Sequence, residues 1–343
     1  MLAIINFEFL LSPALSSPEH YEYLVDDIRL LSELIRNGSG LFLLEEDAVM
    51  KMAANGLYPS ENIFQKIVSQ LDDDPPYGAA DVVRMLNGIL SRLPIFSIDS
   101  VSHLVDWTKG RDFNPEIDCI NDVRKGELYD FYENVIIENS FSSCDYRPLY
   151  YSPAKKSDLH YLQMTGEISS IYPDKTDDFP MEFNGGVNLF LKLDRYFGTL
   201  DGYYLYKVAI TELDLKLSFY VGALNLIRDS GSKRKLLWDD FDIGRGFIKS
   251  LQENDCYQEQ QFSSTTYDVI INILAGSPKN DINFFYKSLE NKEPRSHGDF
   301  LAQRTHITKS GRALRLLMWN DFKNQVLVFA NVGNKQELFI EGL

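Results

Sequence analysis

Two carboxylates and a lysine near the middle of the chain have the types and spacing that metal-dependent hydrolysis needs. Asp201 precedes Asp214, and Lys216 stands two residues after Asp214. Two carboxylates can hold a divalent cation, and a neighbouring lysine can orient the attacking water. Residues 212–221 alternate polar with apolar side chains, which predicts a strand with Asp214 and Lys216 on one polar face. The spacing therefore indicates either a metal site or the solvated face of an amphipathic strand with cross-strand ion pairs.

The order acid, acid, one residue, lysine resembles the core of the PD-(D/E)xK nucleases. The resemblance implies a nuclease that binds Mg²⁺ through Asp201 and Asp214 and uses Lys216 to orient water. Apart from that Mg²⁺, no pattern in the sequence calls for a cofactor. The five histidines have neither HxH nor HExxH spacing, so no metal site is expected from them.

The end of the chain differs in charge from the rest. Residues 292–343 hold eight Lys and Arg against five Asp and Glu, a net charge of +3. The whole chain carries -16, so residues 1–291 carry -19. This asymmetry marks the C-terminal segment as the best candidate for contact with an anionic partner. The candidate anion-binding residues are Arg304, Lys309, Arg312, Arg315 and Lys335.

Three runs in this segment, 313–319, 325–332 and 337–340, have the composition of strands and are joined by hairpin-length loops. Two expected helices followed by this three-stranded meander resemble the RelE/ParE/HigB type of small bacterial toxin over roughly the last 80 residues. The matching motifs are Leu-Arg-Leu at 314–316 and Val-Gly-Asn-Lys at 332–335. The resemblance implies that the cations lie near an RNA phosphate and neutralise its charge while a 2′-hydroxyl attacks the backbone. It also implies a first strand before the two helices, for which 241–248 is the candidate.

The histidines, cysteines and glycines give weaker indications of a functional site. His297 and His306 lie in the basic region, where a histidine can act as general acid or base. The three cysteines are far apart and form no CxxC pair, which indicates reduced thiols. No glycine cluster has the spacing of a phosphate-binding loop. Solvated lysines and arginines on the outer face of a sheet are the plain alternative for the basic segment.

The elements that must position these residues divide into three regions. Helical periodicity, a Ser-Pro-Glu start at 17–19 and an Asn-Gly stop at 37–38 predict helices through most of the first third. From about 146, aromatic and β-branched residues alternate, and 203–210 and 212–221 are predicted strands. Helices at 264–274 and 279–290 are expected before the meander. The fold class is therefore α+β, with a mainly helical domain at 1–145, a strand-rich region at 146–230, and a helix pair with a basic meander at 231–343.

Composition limits the class of protein. A hydrophobic content of 44% suits a folded globular chain, and a net charge of -16 opposes nucleic-acid binding by the surface as a whole. No apolar run is long enough to span a membrane, and we expect a cytoplasmic location with no membrane contact. We expect a protein partner and RNA or DNA at the basic face. The favoured function is a component of a multi-protein bacterial defence or toxin-like system. The alternatives are a non-catalytic interaction subunit whose acidic region docks a basic partner, and the metal-dependent nuclease.

Overall fold

A computed structural model describes residues 1–97, 102–152, 160–173, 178–288, 293–309, 311–337 and 339–342. Helices and strands are both abundant, so the protein is of the mixed α+β class, as predicted. The chain divides into two compact units, Met1–Tyr196 and Phe197–Leu343. The predicted boundaries at 145/146 and 230/231 fall inside the first and the second unit respectively. In the described residues, no helix combines the length and the apolar composition that crossing a bilayer would require.

A four-stranded parallel sheet forms the centre of the first unit, in the order β3-β2-β1-β5. The sequence predicted a mainly helical region here and missed this sheet. Its strands are short and apolar, and buried parallel strands lack the polar alternation that identifies a strand in sequence. The strands are β1 (Leu2–Ile5), β2 (Phe42–Glu45), β3 (Ile95–Phe96) and β5 (Tyr146–Leu149).

An antiparallel sheet and a set of helices complete the first unit. The sheet order is β4-β6-β7, with β4 (Leu104–Asn114), β6 (Tyr161–Tyr172) and β7 (Met181–Asn188). The helices are α1 (Phe7–Leu10), α2 (Ser12–Leu15), α3 (Tyr21–Arg36), α4 (Ala48–Ala54), α5 (Glu61–Val68), α6 (Ala79–Leu90), α7 (Asp122–Phe141) and α8 (Leu193–Phe197). Helix α7 joins the two sheets in one core, because its Tyr132 and Ile136 pack in a cluster with Ile4 of β1 and Leu162 of β6.

The second unit combines helices with a sheet of the order β10-β11-β12-β13-β8, and some of the helices pack against one face of the sheet. The helices are α9 (Gly202–Val208), α10 (Glu212–Asp229), α11 (Phe247–Glu253) and α12 (Ser263–Leu274). The strands are β8 (Phe241–Ile243), β9 (Asn283–Phe284), β10 (Ser296–His297), β11 (Phe300–His306), β12 (Leu314–Asp321) and β13 (Val326–Asn334). Phe219 of α10 and Phe247 of α11 contact Phe329 of β13 on the covered face. The opposite face carries a small apolar cluster that includes Phe285, Leu317 and Trp319.

The predicted strands at 203–210 and 212–221 are wrong, because both segments are helical. The alternation of apolar residues in 212–221 does not come from a strand. Residues 215–223 of α10 are all buried, so apolar side chains occur on all sides of this helix and the usual one-sided helical pattern is missing. Capping residues mark the start of both helices. Asp201 is the N-cap residue of α9, and Thr211 and Asp214 form a capping box at the start of α10.

The C-terminal predictions also need correction. The described part of 279–290, which ends at residue 288, contains β9 and no helix. The meander consists of β11, β12 and β13. Strands β12 and β13 correspond to the predicted runs 313–319 and 325–332, and the additional strand, β11, comes before them and not after them. No strand is assigned to the described residues of 337–340. Residues 339–341 are bound to the sheet by side chains: Asn331 Nδ2 donates to the Phe339 carbonyl, Asn331 Oδ1 accepts from the Glu341 amide, and Trp319 Nε1 donates to the Glu341 carbonyl. Val332 and Gly333 belong to the end of β13 and not to a corner before another strand.

Candidate anion-binding site

The three residues expected to form a nuclease site serve the ends and the packing of helices. The Asp201 carboxylate accepts a hydrogen bond from the Tyr204 amide, at 3.0 Å. The Asp214 carboxylate accepts from the amides of Ile210 and Thr211, at 3.0 and 2.8 Å. Both carboxylates are thus engaged by backbone amides at helix starts, where negative charge is stabilising.

Lys216 is nearly buried on α10. Its ammonium lies 4.6 Å from the centre of the Trp238 ring and 3.7 Å from Asp242 Oδ1. Aromatic contact and one exposed carboxylate account for its charge. Within the described residues, no group of three or more His, Cys, Asp or Glu is arranged to hold a metal ion. The strand that would have placed Asp214 and Lys216 together does not exist.

The five predicted anion-binding residues separate by environment. Arg312 is engaged: it forms an ion pair with Asp255 and donates to the Glu253 carbonyl and to Asn254 Oδ1. Lys309 and Lys335 are exposed at the ends of strands β11 and β13. Arg304 and Arg315 are half-buried within the sheet itself, and unlike Arg312 they have no carboxylate partner among the described residues.

Arg304 and Arg315 lie on the same face of neighbouring strands. Arg315 pairs with His306, and Arg304 stands two residues from His306 on β11, so all three side chains project to the face opposite the helices. Burial and the positive charge on Arg315 lower the pKa of Arg304 from its ordinary value. Two like charges are therefore held close together in a partly dehydrated position.

A third arginine joins them through an aromatic ring. The guanidinium groups of Arg295 and Arg304 lie 4.5 and 5.1 Å from the centre of the Phe285 ring. We refer to Arg295, Arg304 and Arg315 as the arginine cluster. In the part of the chain that the structure describes, none of the three forms an ion pair with a carboxylate. The sequence did not single out Arg295 or Phe285, because the loop before β11 brings them to the sheet and no local pattern encodes that contact.

Two buried polar atoms at the cluster, Arg315 Nε and His306 Nδ1, have no hydrogen-bond partner among the residues that the structure describes. A buried polar group left without a partner costs about 1–3 kcal/mol. Arg315 Nη1 donates to the Lys335 carbonyl at 3.2 Å, which leaves most of its donors unused. An anion at this position would provide the missing acceptors for the arginine.

One acidic residue lies close to the cluster. Gly333 stands opposite Arg315 on β13, and a Cβ atom at Gly333 would lie 2.5 Å from Glu337 Cγ. The Glu337 carboxylate accepts a hydrogen bond from the Phe339 amide at 2.9 Å and forms no ion pair with Arg315. Glu337 therefore stabilises its own turn, while the arginines keep their positive charge available.

The first unit contains a different charged cluster, which is closed to solvent. Arg124 of α7 donates to Glu8 at 2.6 Å and to Glu45 at 2.8 Å, and all three side chains are fully buried. The Glu45 carboxylate also accepts from Asn6 Nδ2, and Tyr132 donates to Asn6 Oδ1 at 3.1 Å. Burial raises the pKa of Glu8, although Arg124 opposes that shift. The cluster ties α7 to the carboxyl ends of β1 and β2, and its inaccessibility indicates a structural role.

Net charge separates the two units. Residues 197–343 contain 18 Lys and Arg and 18 Asp and Glu, so the second unit is neutral and the first carries the whole -16. Comparison with protein-family models, with curated proteins and with solved structures gives no match to this chain. The arginine cluster, in a unit free of net negative charge, is therefore the site whose chemistry points most directly to a ligand.

Proposed function

We propose that the outer face of the C-terminal sheet binds the phosphate backbone of a nucleic acid, with RNA as the preferred form. The observation that carries the proposal is the absence, among the residues described, of any carboxylate paired with Arg295, Arg304 or Arg315. Half-buried guanidinium groups are normally compensated by an anion, and they bind phosphate oxygens in a bidentate manner. Lys309 and Lys335 add exposed positive charge at the ends of β11 and β13.

The order of elements in the second unit supports a toxin-like role. Strand β8 lies within the segment where the RelE/ParE/HigB resemblance expects a first strand, and α11, α12 and the antiparallel strands follow it. In this proposal the protein is a component of a multi-protein bacterial defence or toxin-like system that contacts RNA through the arginine cluster.

The test measures binding of a fluorescent single-stranded RNA to the full chain over a range of salt concentrations. Each phosphate contact with a single strand contributes about -0.7 to the slope of log K against log salt. We expect a negative slope in the wild type and a slope smaller by about 1–1.5 in the double variant Arg304→Gln, Arg315→Gln.

The matched control removes two positive charges elsewhere, through Arg84→Gln and Lys249→Gln, both exposed on helices. This variant should keep the wild-type slope. Equal loss of affinity in the control and in the arginine variant would mean that only net charge matters. A wild type that binds without salt dependence would remove the proposal.

A second candidate is an interaction subunit that docks a basic partner through its acidic first unit. The concentration of the entire net charge of -16 in that unit favours it. Binding of oligolysine to the full chain, and its weakening when the exposed Asp72, Asp73 and Asp74 are changed to Asn, would support this function. Unchanged binding by that variant would count against a partner site in the 72–74 loop.

A further inference from the structure

The helix-covered side of the C-terminal sheet contains a cleft of about 410 Å³. Gln303 of β11 and Asn320 of β12 line one side of it, and Arg234 and Lys235, from the segment before β8, line another. Gln303 precedes Arg304 on the strand, so its side chain projects away from the arginine cluster. The volume lies within the range of roughly 300–1,000 Å³ found for small-molecule sites.

The cleft has positive charge without local compensation. Within the described residues, the side chains of Arg234 and Lys235 form neither an ion pair nor a hydrogen bond. The one carboxylate in the lining, Asp240, accepts a hydrogen bond from the Leu237 amide at 2.9 Å. The mouth of the cleft therefore favours an anionic group.

Arg234 lies close to the glycine that follows α12. Gly276 follows the end of α12 with φ +76°, and a Cβ atom there would lie 2.9 Å from Arg234 Nη1. The positive φ is the reason a glycine is favoured at position 276. The Arg234 guanidinium therefore lies beside the C-terminal end of α12.

Two amides deeper in the cleft present a donor and an acceptor side by side. Asn320 Nδ2 donates to Gln303 Oε1 at 3.1 Å. This bond leaves Gln303 Nε2 as a donor and Asn320 Oδ1 as an acceptor, and neither atom has a partner in the part of the chain described here. Gln303 is 8% exposed as a whole residue, and it belongs to the lining of the cleft. A donor beside an acceptor complements the hydrogen-bonding edge of a nucleobase.

Most of the remaining lining residues are apolar. Leu236 and Leu274 are buried in the lining, and Leu327 stands near them. Phe322 lies at the edge, 54% exposed, with its ring 6.2 Å from that of Phe284. Apolar walls with an accessible aromatic ring bind bases by stacking and burial.

We propose that this cleft binds a single nucleotide, with the base against the leucines and the Gln303–Asn320 amides and the phosphate at Arg234 and Lys235. The nucleotide is either a free mononucleotide or the terminal nucleotide of a strand, since both have the same chemistry at this site. The site uses no residue of the arginine cluster and does not depend on the function proposed above.

The experiment titrates the full chain with the four nucleoside monophosphates, with short 5′-phosphorylated oligonucleotides and with inorganic phosphate, using calorimetry. We expect saturable binding of at least one monophosphate and weaker binding of phosphate alone. Arg234→Ala should weaken nucleotide binding at least about ten-fold, because it removes charge-assisted hydrogen bonds. Gln303→Leu should alter the order of preference among the bases while phosphate binding is retained.

Lys233→Ala is the matched control, because Lys233 is exposed, adjacent and outside the cleft lining. It should bind as the wild type does. Tighter binding of the oligonucleotides than of any monophosphate identifies a strand end as the ligand, and the reverse identifies a free nucleotide. No saturable binding of either class overturns the proposal, and so does equal loss in Lys233→Ala and Arg234→Ala. Phe322→Ser changes an exposed residue, so it should not disturb folding. If this variant binds bases as tightly as the wild type does, Phe322 does not stack on the base.

Discussion

Arg295 and Arg304 share one aromatic partner, with guanidinium groups 4.5 and 5.1 Å from the centre of the Phe285 ring. Phe285 is 2% exposed, so the ring is closed to a stacking base and acts only on the two cations. Attraction to the ring partly offsets the repulsion between neighbouring charges. The arrangement maintains a concentration of positive charge for an external anion.

Replacing Arg304 should separate ligand binding from stability. Because Arg315 and burial lower the pKa of Arg304, Arg304→Met relieves repulsion and dehydration. We expect a free energy of unfolding within about 1 kcal/mol of the wild type in urea titrations, together with weaker RNA binding. A loss of stability well beyond that, with binding retained, would make Arg304 a structural residue.

Arg312 should behave in the opposite way. Its guanidinium joins the loop before β12 to the end of α11 through Asp255, Asn254 and the Glu253 carbonyl. Arg312→Gln should lower the free energy of unfolding by about 1 kcal/mol and leave the salt slope of RNA binding unchanged. Thermal denaturation and the fluorescence titration measure the two effects. A smaller salt slope in this variant would show that Arg312 contacts the RNA.

Asp214 is expected to affect helix stability and not metal-dependent chemistry. Asp214→Ala removes the hydrogen bonds to the Ile210 and Thr211 amides and should cost about 1 kcal/mol. Glu212→Ala, in the same first turn but outside the capping box, is the control and should cost less. Melting temperatures with and without Mg²⁺ provide the measurement. A Mg²⁺-dependent rise that Asp214→Ala abolishes would contradict the structural role.

The buried ion cluster of the first unit should be intolerant of substitution. Arg124→Met leaves Glu8 and Glu45 buried without a cation. We expect this change to lower the free energy of unfolding by about 3–5 kcal/mol. Arg84→Met, at an exposed pair on α6, should change the free energy of unfolding by less than about 0.5 kcal/mol. Chemical denaturation compares them. Similar effects of the two variants would show that the cluster is not coupled to folding.

Asp27 gives the first unit a pH-dependent stability near neutrality. Burial and the charge on Asp194 raise the pKa of Asp27 from 3.8 to about 7. Between these two values the folded state binds the extra proton, so stability falls as pH rises from about 4 to 7. Asp27→Asn should remove this slope and stabilise the protein at pH above 7. Urea titrations at several pH values test it, and an unchanged slope in the variant would assign the dependence to other groups.

The α+β class and the basic strands β12 and β13 could be predicted from the sequence. Features that depend on contacts between distant parts of the chain could not. The positive charge of 304–335 could be counted directly, but the engagement of Arg312 by Asp255 depends on the end of α11 meeting β12. Asp214 and Lys216 were assigned to a strand because apolar residues alternate there. Burial around all sides of α10 creates the same pattern in a helix.

The parallel sheet could not be predicted for a related reason. Its strands β1 and β5 pair through Leu2 with Tyr146 and Ile5 with Leu149, and nothing in either four-residue run specifies the other. The cleft beside α12 could not be predicted either. Arg234, Gln303 and Asn320 come from three separated segments, and each appears unremarkable within its own sequence neighbourhood.

The position of β1 in the middle of that sheet affects how the protein folds during synthesis. β1 can pair with β2 once residues 42–44 have emerged, but its other edge must wait for residues 146–149. At 5–20 residues per second, the ribosome leaves that apolar edge without its partner for roughly 5–20 s after residue 44 has emerged. During this interval an unpaired strand edge invites association with other chains. Production of the protein should therefore be sensitive to translation rate and to chaperone supply.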